Sequence, residues 1–573
     1  MTTALQPAPA QEIVQGVRAQ LATAVPGIND YLRAWADWSL GLSLAPEHQQ
    51  ALFQSALAYG ADSLKFALQA AAGQPTPPAN GETTFVGAGW QHWPFNVYAH
   101  AHHNLKEWSG EALSAADGMS GENAQRLEFL QRQWLNLTSP AHYLPTNPEL
   151  LEQTRAEGGA NLLRGAQHWL EDAARTLTGG AVPGTEQFRV GEQVAVTPGK
   201  VVMRNELAEL IQYSPQTDSV YAEPILITPA WIMKYYILDL SPHNSLVNYL
   251  VGQGHTVFML SWKNPTAADR NLSMDDYVRL GFRAALDAVQ AIVPGRRVHT
   301  VGYCIGGTLL TIAAAALARE ADTRIASITL FAAQTDFSEP GELSMFISPS
   351  QLAALETQMQ RDGVLSSESM GAAFALLRSS ELIWAPAVNQ YLRGQRAPLN
   401  DLMAWNADGT RMPCRMHSEY LQRLYQHNEL AAGSFSIDGR PIDLRQLTMP
   451  MFVVGTETDH VAPWRSAFKT RSLTRSDDYS FVLTSGGHNA GIISGPVNPK
   501  RRHRVYRWSD AAAPDSPEQF MESAQLNAGS WWPTWQQWLV AHSARERVAP
   551  PPRGNAGAGY VPLADAPGGY VRG

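Results

Sequence analysis

The residues best suited to chemistry lie in the run Val301-Gly302-Tyr303-Cys304-Ile305-Gly306-Gly307. It follows the β-branched stretch VHTVG and opens the apolar, helix-like segment TLLTIAAAALA. A nucleophile between two small residues at a strand-to-helix junction is the G-x-S-x-G elbow pattern, here with cysteine in place of serine. Glycines at 302 and 306 keep side chains out of a tight turn. The turn sets the sulfur at a helix N-terminus, where the dipole and free N–H groups favour a thiolate. A small buried hydrophobe on a Gly-rich turn is the competing reading of Cys304, and it leaves the strand–turn–helix setting without a purpose.

Such a nucleophile needs a base and an orienting acid, which follow it in the chain in the order acid, then base. Asp459, just past the strand-like MFVVG in TETDHVAPW, is the expected acid. Asp336, one strand earlier in ITLFAAQTDF, and Glu457 are its rivals. His488 follows SFVLTSGG, where two glycines free the backbone, and is the expected base. His460 adjoins Asp459 and so points elsewhere. His255 and His299 sit at strand starts and read as structural. His92, His100, His102 and His103 have no carboxylate or cysteine among them at ligand spacing, so no metal site is read there. Lys500-Arg501-Arg502-His503-Arg504 reads as a solvated basic face, with contact to the phosphates of an incoming substrate as the alternative. There is no Walker loop or dinucleotide fingerprint, and the chemistry calls for no cofactor.

Positioning these residues requires a sheet. Short apolar, β-branched runs appear at QVAVT, PILIT, TVFMLS, VHTVG, IASITLF, MFVVG and SFVLT, separated in several places by helical segments at 243–252, 276–292 and 305–319. That alternation predicts an α/β domain over 186–545, a mostly parallel sheet with helices on both faces. Between IASITLF and MFVVG the chain is rich in Leu, Met, Arg and Gln and too long for a plain loop. A helical inserted lid is expected over about 340–445. Residues 11–185 read as a helical N-terminal domain, interrupted by Pro, Gly and Asn at 73–84 and closed by GGAVPGTEQF. Residues 1–10 read as a flexible N-terminus, and 546–573 as a Pro/Gly-rich tail that wraps the surface or stays mobile.

Composition narrows the function classes. The chain has 573 residues, 45% of them hydrophobic and only 17% charged, which excludes a disordered chain. A net charge of −9 argues against a broad nucleic-acid-binding surface. Two cysteines, Cys304 and Cys414, exclude a disulfide framework or a Cys-rich zinc site. The N-terminus shows no secretory signal, and the apolar stretch from Leu309 to Ala318 falls short of the ~20 residues that span a bilayer. A cytoplasmic globular protein without a transmembrane span is expected.

Taken with their neighbours, these motifs resemble the polyhydroxyalkanoate synthases. The resemblance is carried by Gly302-Tyr303-Cys304-Ile305-Gly306-Gly307, Asp459-His460-Val461-Ala462-Pro463-Trp464 and Gly487-His488-Asn489-Ala490-Gly491. Further matches are Lys234-Tyr235-Tyr236-Ile237-Leu238-Asp239-Leu240, Asn244-Ser245-Leu246-Val247, Ser261-Trp262-Lys263-Asn264-Pro265, Thr146-Asn147-Pro148 and Gly529-Ser530-Trp531-Trp532-Pro533. Trp231, Met233 and Lys263 depart from the usual pattern.

The resemblance implies an α/β-hydrolase-type fold and a single-subunit acyltransferase of class I or II. It also implies polymerisation of (R)-3-hydroxyacyl-CoA with release of CoA, through an acyl-Cys304 intermediate. Cys304, Asp459 and His488 would form the triad, with oxyanion donors at the backbone N–H of Ile305 and near Trp231. The implied partners are the acyl-CoA substrate, the growing polyester with its granule surface, and a second copy of the chain. A thioesterase or intracellular depolymerase on the same fold, and an inactive granule-binding protein, are the alternatives.

Overall fold

The computed structural model describes residues 28–73, 84–116, 119–178, 180–496, 498–508 and 514–573; the N-terminal stretch 1–10 and most of the expected break at 73–84 lie outside them. The chain forms two compact units. One comprises the residues up to Ala181 with Ala373–Pro398, and the other comprises Val182–Ala372 with Leu399–Gly573.

The first unit is helical: α1 (Ile28–Leu44), α2 (Pro46–Ala71), α3 (Phe95–Ser114), α4 (Gly121–Thr138), α5 (Pro148–Ala156) and α6 (Ala160–Thr178). Local chemistry starts several of them. Ser120 caps α4 by accepting from the Asn123 amide, and Asn147 caps α5 through the amides of Glu149 and Leu150, with Pro148 in the first turn. The Thr146-Asn147-Pro148 motif is thus a helix start. Residues 373–398 belong to this unit, where Arg393 pairs with Glu149 and Trp384 stacks on His142. The expected lid over 340–445 is therefore divided, because its middle section finds its partners among these helices.

The second unit is built on an eleven-stranded sheet. Its strands are β1 (Gly199–Arg204), β2 (Ala208–Tyr213), β3 (Ile225–Thr228), β4 (Val257–Trp262), β5 (Val298–Tyr303), β6 (Ile325–Phe331), β7 (Met451–Thr456), β8 (Tyr479–Thr484), β9 (Arg502–Trp508), β10 (Gln525–Ala528) and β11 (Ala564–Asp565). The spatial order is β10-β9-β8-β7-β6-β5-β3-β4-β2-β1-β11. Strands β4, β3, β5, β6, β7 and β8 run parallel, and antiparallel strands complete both edges. Helices α7 (Leu246–Gly252), α8 (Ala284–Ile292), α9 (Ile305–Arg319) and α12 (Trp532–Ala541) accompany the sheet; α10 (Pro349–Asp362) and α11 (Cys414–Tyr420) lie in the inserted stretch.

Six expected strands appear within a residue or two of their predicted bounds. QVAVT is not one of them. Ala195 there takes a left-handed conformation, with φ of 54°, and its amide is spent on the carbonyls of Asp239 and Leu240. The antiparallel strands β1, β2, β9 and β10 carry too many polar residues to read as apolar runs. The tail of the chain is also part of this unit, adding β11 beside β1.

Candidate active site

Strand β5 is buried at every residue and lies between β3 and β6. The chain leaves it at Cys304 with φ 54° and ψ −132° and enters α9 at Ile305. A left-handed side-chain-bearing residue costs about 1–3 kcal/mol and persists only where its surroundings impose it. Here the Cys304 amide donates to the Phe331 carbonyl at the end of β6 (2.8 Å), and its carbonyl accepts from Gly307 (2.8 Å). A Cβ at Gly302 would lie 2.3 Å from the Gly307 Cα, so that glycine is demanded by the turn itself. A Cβ at Gly306 would lie 2.4 Å from the carbonyl carbon of Pro229. Gly306 therefore serves a different purpose: it lets the chain leaving β3 pass against the first turn of α9.

Asp459 follows β7 and His488 follows β8, and the two turns are joined by backbone bonds from Glu457 to Thr484 (2.9 Å) and from Thr458 to Gly486 (3.1 Å). His488 Nδ1 lies 2.8 Å from Asp459 Oδ2, and its ring centroid is 5.6 Å from that of Tyr303, the residue before Cys304. The structure thus pairs His488 with Asp459 and sets that pair beside the turn that carries Cys304. Asp459 is fully engaged: Oδ1 accepts from the amides of Val461 (2.9 Å) and Ala462 (2.8 Å), and Oδ2 accepts from Thr456 Oγ1 (3.0 Å) as well as His488. Its side chain is 0% exposed. Burial alone would pull His488 down, but negative charge on Asp459 and Cys304 outweighs it and holds the imidazole well above its ordinary value.

The rivals are elsewhere. Asp336 accepts from the Ser338 amide and Asn428, Glu457 pairs with Arg502, and His460 is exposed. Cys414 begins α11 with its thiol pushed up by burial. Among the four clustered histidines, His100 bonds Asp62 and His102 meets the Leu135 carbonyl.

Of the two expected oxyanion positions, one follows the nucleophile directly and the other lies two residues past Pro229, where the chain passes Gly306. Ile305 opens α9, against which the chain leaving β3 runs on through Pro229 and Ala230 to Trp231. Trp262 Nε1 holds the Pro229 carbonyl (2.9 Å) and Thr410 Oγ1 holds that of Trp231 (2.9 Å). The Trp231 indole is buried between Tyr277 and Tyr420, with centroid distances of 5.7 Å to each, and its Nε1 has no protein partner. Met233, another departure from the family pattern, pairs with Gly409, and Lys263 pairs with Asp269.

Several supporting residues escaped the sequence reading. Arg501, in the run read as a basic face, turns inward and donates to the carbonyls of Ser485 (3.1 Å) and Ala490 (2.7 Å), bracing the turn that carries His488. Tyr303 donates to Asn489 beside the same histidine. From the inserted stretch come Tyr420 and Tyr425, whose hydroxyls are 3.3 Å apart. Five residues apart, they would diverge on an α-helix; the chain from Leu421 to Gln426 winds instead as a π-helix, whose wider turn sets them together. Burial raises both phenols, and negative charge at Cys304 adds to the rise. The unusual spacing was the only sequence signal available for this pair.

Comparison with known proteins places the chain in a family. Residues 81–250 match the family described as the N-terminus of poly-beta-hydroxybutyrate polymerase (PhaC), and residues 223–493 match the alpha/beta hydrolase fold. The chain is 38% identical to the poly(3-hydroxyalkanoate) polymerase of Methylorubrum extorquens over 99% of its own length and 93% of the relative's. It is 36% identical to the poly(3-hydroxyalkanoate) polymerase subunit PhaC of Cupriavidus necator over 85% of its length and 82% of the relative's. Among solved structures, a monoacylglycerol lipase of Paleococcus ferrophilus matches 59% of this chain and 100% of its own at 11% identity, with a TM-score of 0.32. With a cysteine on the elbow and relatives this similar across both units, the chain belongs to the poly(3-hydroxyalkanoate) polymerase family.

Proposed function

We propose that this chain builds polyhydroxyalkanoate from (R)-3-hydroxyacyl-CoA thioesters, releasing CoA, by way of an acyl group carried on Cys304. The observation that carries this reading is the His488–Asp459 pair beside the Cys304 elbow in a chain of the polymerase family. The sulfur attacks the thioester carbonyl, and the oxyanion is met by the backbone N–H groups of Ile305 and Trp231. The C–S bond to CoA breaks, and His488 gives its proton to the departing thiolate. In the next step His488 takes the proton of a substrate 3-hydroxyl, whose oxygen attacks the acyl-cysteine. An ester forms and the cysteine sulfur is released. Thioester-to-thioester exchange is nearly balanced, so formation of the more stable oxygen ester drives the chain forward.

Asp459 acts in this scheme on the imidazole, not on the hydroxyl. Its oxygens already accept four hydrogen bonds and its side chain has no exposed surface, so it is engaged as a fixed support for one tautomer of His488. Tyr420, Tyr425 and Trp231 keep the acyl-enzyme away from water. CoA arrives with the substrate and leaves as product, and no other group is called for. On this reading the chain works at the surface of its insoluble product, where exposed side chains such as Trp35 and Trp134 of the helical unit would meet polyester.

The test is incubation with (R)-3-hydroxybutyryl-CoA. Released CoA should be matched by polymer, and rapid quenching should yield a peptide acylated at Cys304. Release matched by free 3-hydroxybutyrate would make the enzyme a thioesterase instead.

A further inference from the structure

Lys234 lies three residues beyond Trp231, in a family motif to which the chemistry above gives no task. Its side chain is 2% exposed and its ammonium stands 3.9 Å from the Asp408 carboxylate. The remaining partners are main-chain oxygens far along the chain: Nζ donates to those of Val571 (2.8 Å) and Gly573 (2.5 Å). Burial pulls this ammonium below its ordinary value, with Asp408 pushing back. A buried cation whose acceptors were removed would be left poorly compensated, so the place of the Lys234 side chain depends on where residues 571–573 sit.

That segment is itself clamped. Glu209, with a fully buried side chain, accepts from the amides of Gly569 and Tyr570 (3.0 Å each). The Tyr570 hydroxyl donates to the Asn205 carbonyl, and Asn264 Nδ2 donates to the Gly573 oxygen (3.1 Å). Gly568 has φ of +84°, and a Cβ there would lie 2.4 Å from Glu209 Oε2 and 2.9 Å from Val201 Cγ2. The loop on the other side of Lys234 is held by different residues: Trp405 Nε1 takes the Lys234 carbonyl (2.8 Å), Thr410 takes that of Trp231, and Gly409 pairs with Met233. The loop leaving β3 is thus gripped from the inserted stretch at its carbonyls and from the tail at the Lys234 ammonium.

We infer that Gly568–Gly573 is a strap which, through Lys234, holds the Pro229–Lys234 loop at the distance from Cys304 that its oxyanion-binding N–H requires, making Lys234 a positioning residue for acyl transfer. The inference rests on the reading of Trp231 as an oxyanion donor. Misplacing a donor by about 1 Å costs up to roughly 10²-fold in rate, so the strap acts on the transition state far more than on substrate binding.

The experiment uses the full chain carrying Lys234→Met, which keeps the packing and loses the donor, and separately Gly568→Val, which displaces the strap without touching Lys234. Three quantities are read: the acylation rate constant with (R)-3-hydroxybutyryl-CoA, the rate of Cys304 alkylation by iodoacetamide, and amide hydrogen exchange over 229–234 and 565–573. Each variant should acylate about 10- to 100-fold more slowly with KM within about 3-fold and alkylation unchanged, because alkylation needs no oxyanion site. Exchange should quicken in both segments, and the double variant should be no slower than the slower single one. Unchanged exchange over 565–573 in Lys234→Met would overturn the strap and leave the oxyanion reading intact. Faster exchange with acylation at the wild-type rate would overturn the oxyanion reading of the loop, and with it the positioning role. A parallel fall in alkylation would overturn the inference as well, since the damage would then have reached the nucleophile.

Discussion

Five of the six parallel strands in the α/β unit are buried at every residue, and the helix following Cys304 is buried from Ile305 to Leu317. The helical unit treats comparable side chains differently. On α2, Phe53, Leu57, Leu64 and Leu68 form one stripe along the helix, and all are more than half exposed. Trp93, Trp134 and Trp169 are exposed as well, while Trp90 is buried. An apolar cleft of about 540 Å³ opens between Trp35, Trp38, Trp108, Leu127, Leu130 and Trp134. Apolar surface in the first region fixes the geometry of a site; in the second it is exposed among the described residues, as a surface that meets a partner would be.

The sharpest way to break this contrast is at the nucleophile. Cys304→Ala should lower CoA release by about 10⁴-fold or more, whereas Trp134→Ala in the helical unit should leave the single-turnover acylation rate within about 2-fold. A rapid-quench measurement of both variants decides it, and near-normal turnover by the alanine variant would remove Cys304 from the mechanism. Asp459→Asn comes next. Since the carboxylate is wholly committed to the loop and to His488, acylation and elongation should fall together, by about 10²- to 10⁴-fold. A normal first burst of CoA followed by stalled elongation would instead assign Asp459 to the hydroxyl.

Stability should separate the two regions in the same sense. Leu260→Ala in β4 should cost about 2–5 kcal/mol in urea unfolding. Acid should add a penalty from each buried histidine in the α/β unit. Burial holds His255 and His417 at about 4 and His299 at about 3. Each stays neutral in the fold but protonates near 6.5 when unfolded, so the unfolded chain binds more protons and stability falls as the pH drops below 6.5. At pH 5 the loss is about 2 kcal/mol per histidine. His255→Phe, which keeps the ring stacked on Tyr221, should therefore lose about 2 kcal/mol less than wild type between pH 7 and pH 5. The smallest effect belongs to the exposed stripe: Leu64→Ser should cost less than about 0.5 kcal/mol. A loss of several kcal/mol there would mean that the stripe is core after all and would dissolve the comparison.

The turns that carry Cys304, Asp459 and His488 could all be read from residue types, because each is a local device. A nucleophile between glycines at a strand end, an aspartate one turn past a buried strand and a histidine after two glycines are backbone constraints that neighbouring residues must satisfy. Parallel strands buried on both faces were legible for the same reason, since β-branched runs have few other uses. The antiparallel strand Arg502–Trp508 was not, because only His503 and Trp508 are buried in it and its other positions accept charge. Helical periodicity identified α1–α6 but could not say which apolar stripe would find a partner. The Tyr420–Tyr425 pair stayed hidden because its meeting depends on a π-helical turn, and periodicity assumes 3.6 residues per turn.

Lys234 marks the limit of this kind of reading. Its type and its motif were visible, but its hydrogen-bond acceptors are main-chain oxygens more than 330 residues away. A carbonyl oxygen is present at every residue and leaves no trace in a sequence, so only the folded chain could select Val571 and Gly573. Residue types thus singled out Cys304, Asp459 and His488 and the turns that carry them. Tertiary structure settled which other groups hold them in place, because that support comes largely from backbone atoms, buried aromatic faces and a distant tail whose proximity no local pattern encodes.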